Sequence, residues 1–161
     1  SLQFLCRNRR VFEGNNLYSR GAVYSLLEKF DPSEAGKSHI FLGEDKLKAN
    51  IGMRLLRQGK ESYYALLDAG ENWYELHKSC EILLGKEKEV SFVVTPLNGK
   101  NVETRSIPLT GARETGAPFT RYALDVAMAS ADTVTVTVTD LGLGEFFPAS
   151  GQKWEEEFRI F

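Results

Sequence analysis

The chain has 161 residues, 42% hydrophobic and 26% charged, with a formal net charge of −2 and an isoelectric point near 5.8. That length suits one domain with an appendage, and the composition excludes disordered, fibrous and membrane-embedded proteins. Positive and negative residues are mixed along the length, which excludes the electrostatic footprint of a general nucleic-acid binder.

Residues 1–12 place Phe4, Leu5, Val11 and Phe12 around an arginine-rich middle and read as a short strand or arm. The basic cluster there, Arg7, Arg9 and Arg10, is too short to specify phosphate binding and reads as a solvated edge. From Asn15 the spacing changes: Leu17, Tyr24, Leu27 and Phe30 fall near one helical face, with Asn15 or Asn16 as N-cap and Asp31-Pro32 as stop. Gly21 and Ala22 inside this helix weaken it but let another backbone come close. The polar segment 31–38, DPSEAGKS, reads as a linker.

Beyond the linker the period becomes two. Strands are expected over His39 to Leu42, Lys46 to Arg57, Tyr63 to Leu67 and Trp73 to Leu84, with turns at 57–60 and 68–72. Val90, Phe92 and Val94 alternate with polar or outward positions, Asn98-Gly99 supplies a hairpin turn, and Val102, Thr104 and Ser106 return. A second hairpin pairs Tyr122, Leu124, Val126 and Met128 with Val134, Val136 and Val138, which interleave with four threonines. Strict alternation means one buried and one wet face, so the fold class is mainly β: an antiparallel β-sandwich preceded by a short N-terminal strand and helix.

No pattern specifies catalysis. Gly36-Lys37-Ser38 resembles the end of a phosphate loop, but the motif needs glycine where Asp31 stands. Leu141-Gly142-Leu143-Gly144 leads into Phe146-Phe147-Pro148 rather than a helix, so it reads as a bulge or sharp bend and not a dinucleotide fingerprint. His39 and His77 have no ligating partners at metal spacing, and Cys6 and Cys80 make neither a disulfide framework nor a zinc pattern. Buried, reduced thiols point to the cytoplasm. Glu155, Glu156 and Glu157 beside Trp154 read as a solvated terminal face rather than a glycosidase pair. No apolar run approaches a membrane span and no signal-peptide order opens the chain; beginning at Ser1, it is expected to be part of something longer.

Taken together, these segments resemble the seventy-kilodalton heat-shock chaperones of the DnaK type. Gly14-Asn15-Asn16-Leu17 with Arg20-Gly21-Ala22-Val23 is similar to a late helix of that family's actin-like ATPase domain, and Ile40-Phe41-Leu42 falls where the family has its interdomain linker. Residues 46–53, KLKANIGM, resemble its first sandwich strand. GKEKEVSFVVTPLNGKNVETRSIPLTG and TRYALDVAMASADTVTVTVTDLGLGE resemble its last four strands, ending in an Asp and a Gly. The segment 143–148, LGEFFP, also resembles the ending of a group of bacterial proteins with an actin-like half.

The resemblance implies residues 1–38 as a remnant of an ATPase domain and residues 39–161 as the β-sandwich. The family's phosphate-binding motifs are missing from this stretch, so no catalytic residue, metal or cofactor is assigned, and ATP is implied only for a preceding ATPase part. It further implies a non-catalytic module binding extended polypeptide, with Met53, Leu55, Ile82 and Leu84 as groove candidates by main-chain pairing and side-chain pockets. The rival for all four is core packing. A structural or assembly domain, using Trp73, Tyr74, Phe146, Phe147 and Trp154 as an aromatic interface, is the alternative; a carbohydrate-binding or hydrolase domain is the third.

Overall fold

The computed structural model describes residues 14–39, 42–97, 99, 101–113, 116 and 118–160. The expected N-terminal arm, Cys6 and the arginine cluster lie outside them. The chain divides into two compact units, Ser1–Ile40 and Phe41–Phe161.

In the first unit, α1 spans Leu17–Phe30 and ends on Asp31, whose N–H bonds to the Leu27 carbonyl. Asn16 caps its start in the left-handed conformation, without the side-chain hydrogen bond expected of it. Leu17, Tyr18, Val23, Tyr24, Leu26, Leu27 and Phe30 are 55–97% exposed. At 100° per residue they point all round the axis, the pattern of a helix meant to be covered on several sides. The segment expected to be a linker instead holds α2, Glu34–Ser38, because Ser33 accepts a hydrogen bond from Gly36 N–H as an N-cap. The Glu28 carboxylate takes the Ser33 N–H at 2.9 Å and locks the turn between the helices. His39 caps α2 rather than opening a strand; Ile40 and Phe41 lie outside the described residues.

The second unit is the sandwich. Its strands are β1 (Ala49–Arg57), β2 (Lys60–Leu67), β3 (His77–Leu84), β4 (Glu89–Pro96), β5 (Glu103–Pro108), β6 (Thr120–Met128), β7 (Thr133–Gly142) and β8 (Lys153–Arg159). They form two antiparallel four-stranded sheets, ordered β2-β1-β4-β5 and β3-β6-β7-β8. The alternation in β4, β6 and β7 sends Val90, Phe92, Val94, Leu124, Val126, Val134, Val136 and Val138 into one core. Each such side chain contributes roughly 1.5–3 kcal/mol by leaving water. Phe92 meets Phe158 across the sheets with ring centroids 5.9 Å apart.

Several boundaries differ from the sequence expectation. Lys46 makes only an isolated bridge to Asn72, and the first strand starts at Ala49. Trp73–Glu75 is a 3-10 turn before β3. Val102 precedes β5 and is exposed. Gly99 has φ of 75°, as its hairpin turn requires. Strand β8 was hidden by its glutamate run: it pairs with β7 from Thr133↔Arg159 to Thr139↔Lys153.

Three of the four edge strands, β3, β5 and β8, share a trait. Opposite residues of a ladder share a face, so Glu103 and Arg105 on β5, opposite Val94 and Phe92, stand on the core side of their sheet. Glu156 on β8 is opposite Val136, and Lys78 on β3 is opposite Val126. All four remain exposed. Strand β2 carries a bulge, since Ile51 pairs with Leu67 and Gly52 with Ala65, leaving Leu66 extra.

Candidate functional site

The ladder registers bring four connections to one end of the sandwich. β1 runs towards the start of β4, Leu84 lies opposite Thr120, Arg121 opposite Gly142, and Glu89 opposite Pro108. The turn 58–59, the connection 85–88, the loop 109–119 and the loop 143–152 therefore share that end. Trp154 Nε1 donates to the Thr110 carbonyl at 2.9 Å and ties the last strand to loop 109–119.

The four groove candidates converge here at two depths. Met53 and Ile82 are 3% and 6% exposed and belong to the core. Leu55 and Leu84 lie above them, half-buried against it, in the C-terminal halves of β1 and β3. At the same end Leu56 and Leu83 are exposed on the outer faces of β1 and β3, away from Leu55 and Leu84, and Phe119 and Phe146 are exposed in the loops, Phe146 at 93%. Sequence reasoning missed Leu83 and Phe119 because neither fits an alternating pattern; only the registers show that they join the same end.

The loop after β7 is held by a polar clamp. Asp140, 4% exposed, accepts from Gly142 N–H at 2.7 Å and from the Ser150 hydroxyl. Arg113 stands 3.8 Å from the same carboxylate and donates to the Pro148 carbonyl at 2.5 Å. Desolvation is the largest single influence on Asp140 and pushes its pKa up, but the hydrogen bonds from Ser150 and Gly142 with the Arg113 charge outweigh it and leave the carboxyl below its ordinary value. Leu141 is the extra residue of a bulge, as the register passes from Tyr122↔Asp140 to Arg121↔Gly142. The bulge expected from the glycine pattern is therefore present. Leu143 N–H then closes the turn on the Phe147 carbonyl at 2.7 Å, with Phe146 at its tip.

A second feature occupies the outer face of the β3-β6-β7-β8 sheet. Ser79, Ala123, Thr137 and Thr139 floor a shallow depression of about 500 Å³, rimmed by Glu81, Asp125 and Lys153. Asp125 accepts from Ser79 Oγ at 2.7 Å, and its other oxygen lies 2.7 Å from His77 Nε2. The Ser79 bond is the main cause of its lowered pKa, with His77 adding to it. In a nucleophilic triad the imidazole stands between hydroxyl and carboxylate; here the carboxylate stands between the other two, so the arrangement does not activate Ser79.

The proposed aromatic interface is dispersed. Trp154 is buried, Trp73 and Phe147 are half-buried, and Tyr74 and Phe146 are the exposed members. Tyr74 belongs to the connection between β2 and β3, at the end opposite Phe146. Cys80 is a free, half-buried thiol whose pKa burial pushes up, the setting of an unreactive cysteine. Among the described residues no three His, Cys, Asp or Glu are grouped to hold a metal ion, and no helix is long and apolar enough to cross a membrane.

Residues 46–160, the whole sandwich, match the family model described as Domain of unknown function (DUF8552). The chain belongs to the DUF8552 family. Residues 1–44 match a second model, Family of unknown function (DUF5716) C-terminal. The DUF8552 match thus begins where the sandwich begins, and the two matches meet within a few residues of the boundary between the structural units. Among curated proteins, none matches the chain.

Proposed function

We propose that the DUF8552 sandwich is a non-catalytic binding module that engages an extended apolar segment of a polypeptide partner at the end of the sandwich carrying Leu55 and Leu84. The observation that carries this reading is the step in burial: half-buried Leu55 and Leu84 follow buried Met53 and Ile82 on the core-facing sides of β1 and β3, with Phe119 exposed in the adjoining loop. Apolar surface gathered at a rim of loops is the kind of patch that marks an interaction site. The resemblance to the chaperone sandwich supports the same partner chemistry.

The reading also takes residues 1–38 as part of a different domain from residues 39–161. The exposed apolar side chains all round α1 and the change of family model support it. Cytoplasmic location goes with the free Cys80.

The test is fluorescence anisotropy of a labelled extended apolar peptide, titrated with the chain and with Leu84→Ser and Phe119→Asp variants. Leu84 is half-buried and Phe119 exposed, so the fold survives either change, which circular dichroism verifies. Saturable binding that both substitutions weaken is the expected result. No saturation with wild-type protein up to high micromolar concentration overturns the proposal.

A further inference from the structure

The outer face of the β2-β1-β4-β5 sheet carries an aromatic ring laid against backbone. Gly52 lies between the core residues Ile51 and Met53, opposite Ala65 on β2 and Val93 on β4, so its place is on the solvent side of the sheet, yet it is buried. Tyr63 covers it: a Cβ on Gly52 would collide with Tyr63 Cζ and lie 2.5 Å from the phenol oxygen. A glycine in a strand permits this close approach, which any side chain would block. Tyr63 remains 49% exposed, so the ring rests on the sheet with its other side in water.

Polar groups stand around the ring. Asn50, Arg54, Asp68 and Thr95, with Val93 and Val102, line an open depression of about 580 Å³ beside Tyr63, within the size range of small-molecule sites. Asn50 Oδ1 accepts from Ala69 N–H at 2.9 Å, which ties down the residue after Asp68 and leaves the Asn50 NH2 group to donate. Burial, and after it the Asp68 carboxylate, push the Tyr63 pKa up, so the hydroxyl keeps its proton at neutral pH. A ring already seated on the sheet has little freedom left to lose on binding.

The lining selects the ligand. An aromatic ring offers a negative face, which suits the weakly polarised C–H groups on one side of a pyranose. Sugar hydroxyls both donate and accept, and a carboxamide, a guanidinium, a carboxylate and a hydroxyl answer both roles. The charges of Arg54 and Asp68 cancel, so the depression favours an uncharged ligand over one bearing phosphate. We propose that Tyr63 is the platform of a carbohydrate site, on which a neutral pyranose stacks while Asn50, Arg54, Asp68 and Thr95 bond to its hydroxyls. This site lies on an outer sheet face, whereas Leu55 is on the core side of β1, and it stands apart from the polypeptide reading above.

The test is an NMR titration of the 15N-labelled chain with maltose, cellobiose and diacetylchitobiose, and with adenosine monophosphate as the charged, base-bearing rival. Saturable shifts of the Gly52, Tyr63 and Thr95 amides with at least one disaccharide are expected. Tyr63→Ala should weaken that binding about tenfold, and Tyr63→Phe, which keeps the ring, should stay within about twofold of wild type. Arg54→Ala and Asp68→Ala, both at exposed positions, should each weaken it about threefold, as loss of one hydrogen bond does, and they read the site independently of any folding defect in Tyr63→Ala. The absence of saturable shifts with all three disaccharides up to tens of millimolar overturns the proposal, as does binding that survives these three alanine substitutions. Tighter binding of adenosine monophosphate than of every disaccharide overturns it in favour of a nucleotide. None of these outcomes bears on the anisotropy test of the peptide site.

Discussion

Gly142 and Phe147 are pressed together, backbone to backbone: a Cβ placed on Gly142 would lie 2.2 Å from the Phe147 carbonyl oxygen and 2.6 Å from Ala149 N, and Gly142 has φ of 65°. The loop that presents Phe146 thus folds back on a residue that has no side chain to put in the way.

Gly142→Ala is therefore expected to destabilise the fold by roughly 3 kcal/mol or more, since neither backbone group can give way and the left-handed conformation adds strain. Gly144, with φ of 70° but nothing within 4 Å of its Cβ position, isolates the conformational part, so Gly144→Ala is expected to cost about 1 kcal/mol. Urea unfolding of the two variants separates the terms; equal losses would show that the close approach has no energetic weight.

Asp140 predicts an acid limb. Its folded pKa is lowered, so its contribution is complete above the unfolded value of about 3.9 and is lost as pH falls through the lower folded value. Asp140→Asn is expected to cost roughly 1.5–3 kcal/mol at pH 7, the range for hydrogen bonds to a charged group. The gap between variant and wild type should narrow below about pH 4. Chemical denaturation at a series of pH values measures it, and a gap independent of pH would contradict the assignment.

For Asp125 the lowered pKa comes first from Ser79 Oγ. Ser79→Ala should raise the Asp125 titration midpoint towards that of an ordinary carboxylate, and His77→Ala should raise it as well. Carbon-detected NMR titration of the side-chain carboxyl reads this directly. An unchanged midpoint in Ser79→Ala would contradict the assignment. Because the cluster is exposed, either change should alter stability by less than about 1 kcal/mol.

Hydrogen exchange should divide the chain sharply. The 14 residues of α1 bury nothing, and a helix that short is marginal without packing, so its amides are expected to exchange within seconds to minutes. Those of β6 and β7, central in their sheet, should exchange only by global unfolding. Protection of α1 comparable to β7 would show that it packs against something in solution.

The sandwich was legible where one face of a strand is wet and the other dry: Val134, Val136 and Val138 between threonines dictate β7 and its facing. It was illegible where an edge strand keeps charges on its inner side, as Glu156 does in β8, because such a residue breaks the alternation that marks a strand. The short helix α2 was missed because Ser33 capping acts through one local bond that composition does not weigh. At the candidate site the sequence named Leu55 and Leu84 but did not place Phe119 and Phe146 at the same end of the sandwich. That depends on which strand ends share a side of the sheets, and it is a property of topology alone.

The charges on the inner side of β3, β5 and β8 and the bulge of β2 affect how the molecule meets its neighbours. A strand added at β3, β5 or β8 would bring an apolar neighbour against Lys78, Glu103, Arg105 or Glu156, and one added at β2 would meet a ladder out of step at Leu66. Each margin thus carries a feature that discourages lateral growth into ribbons or fibrils.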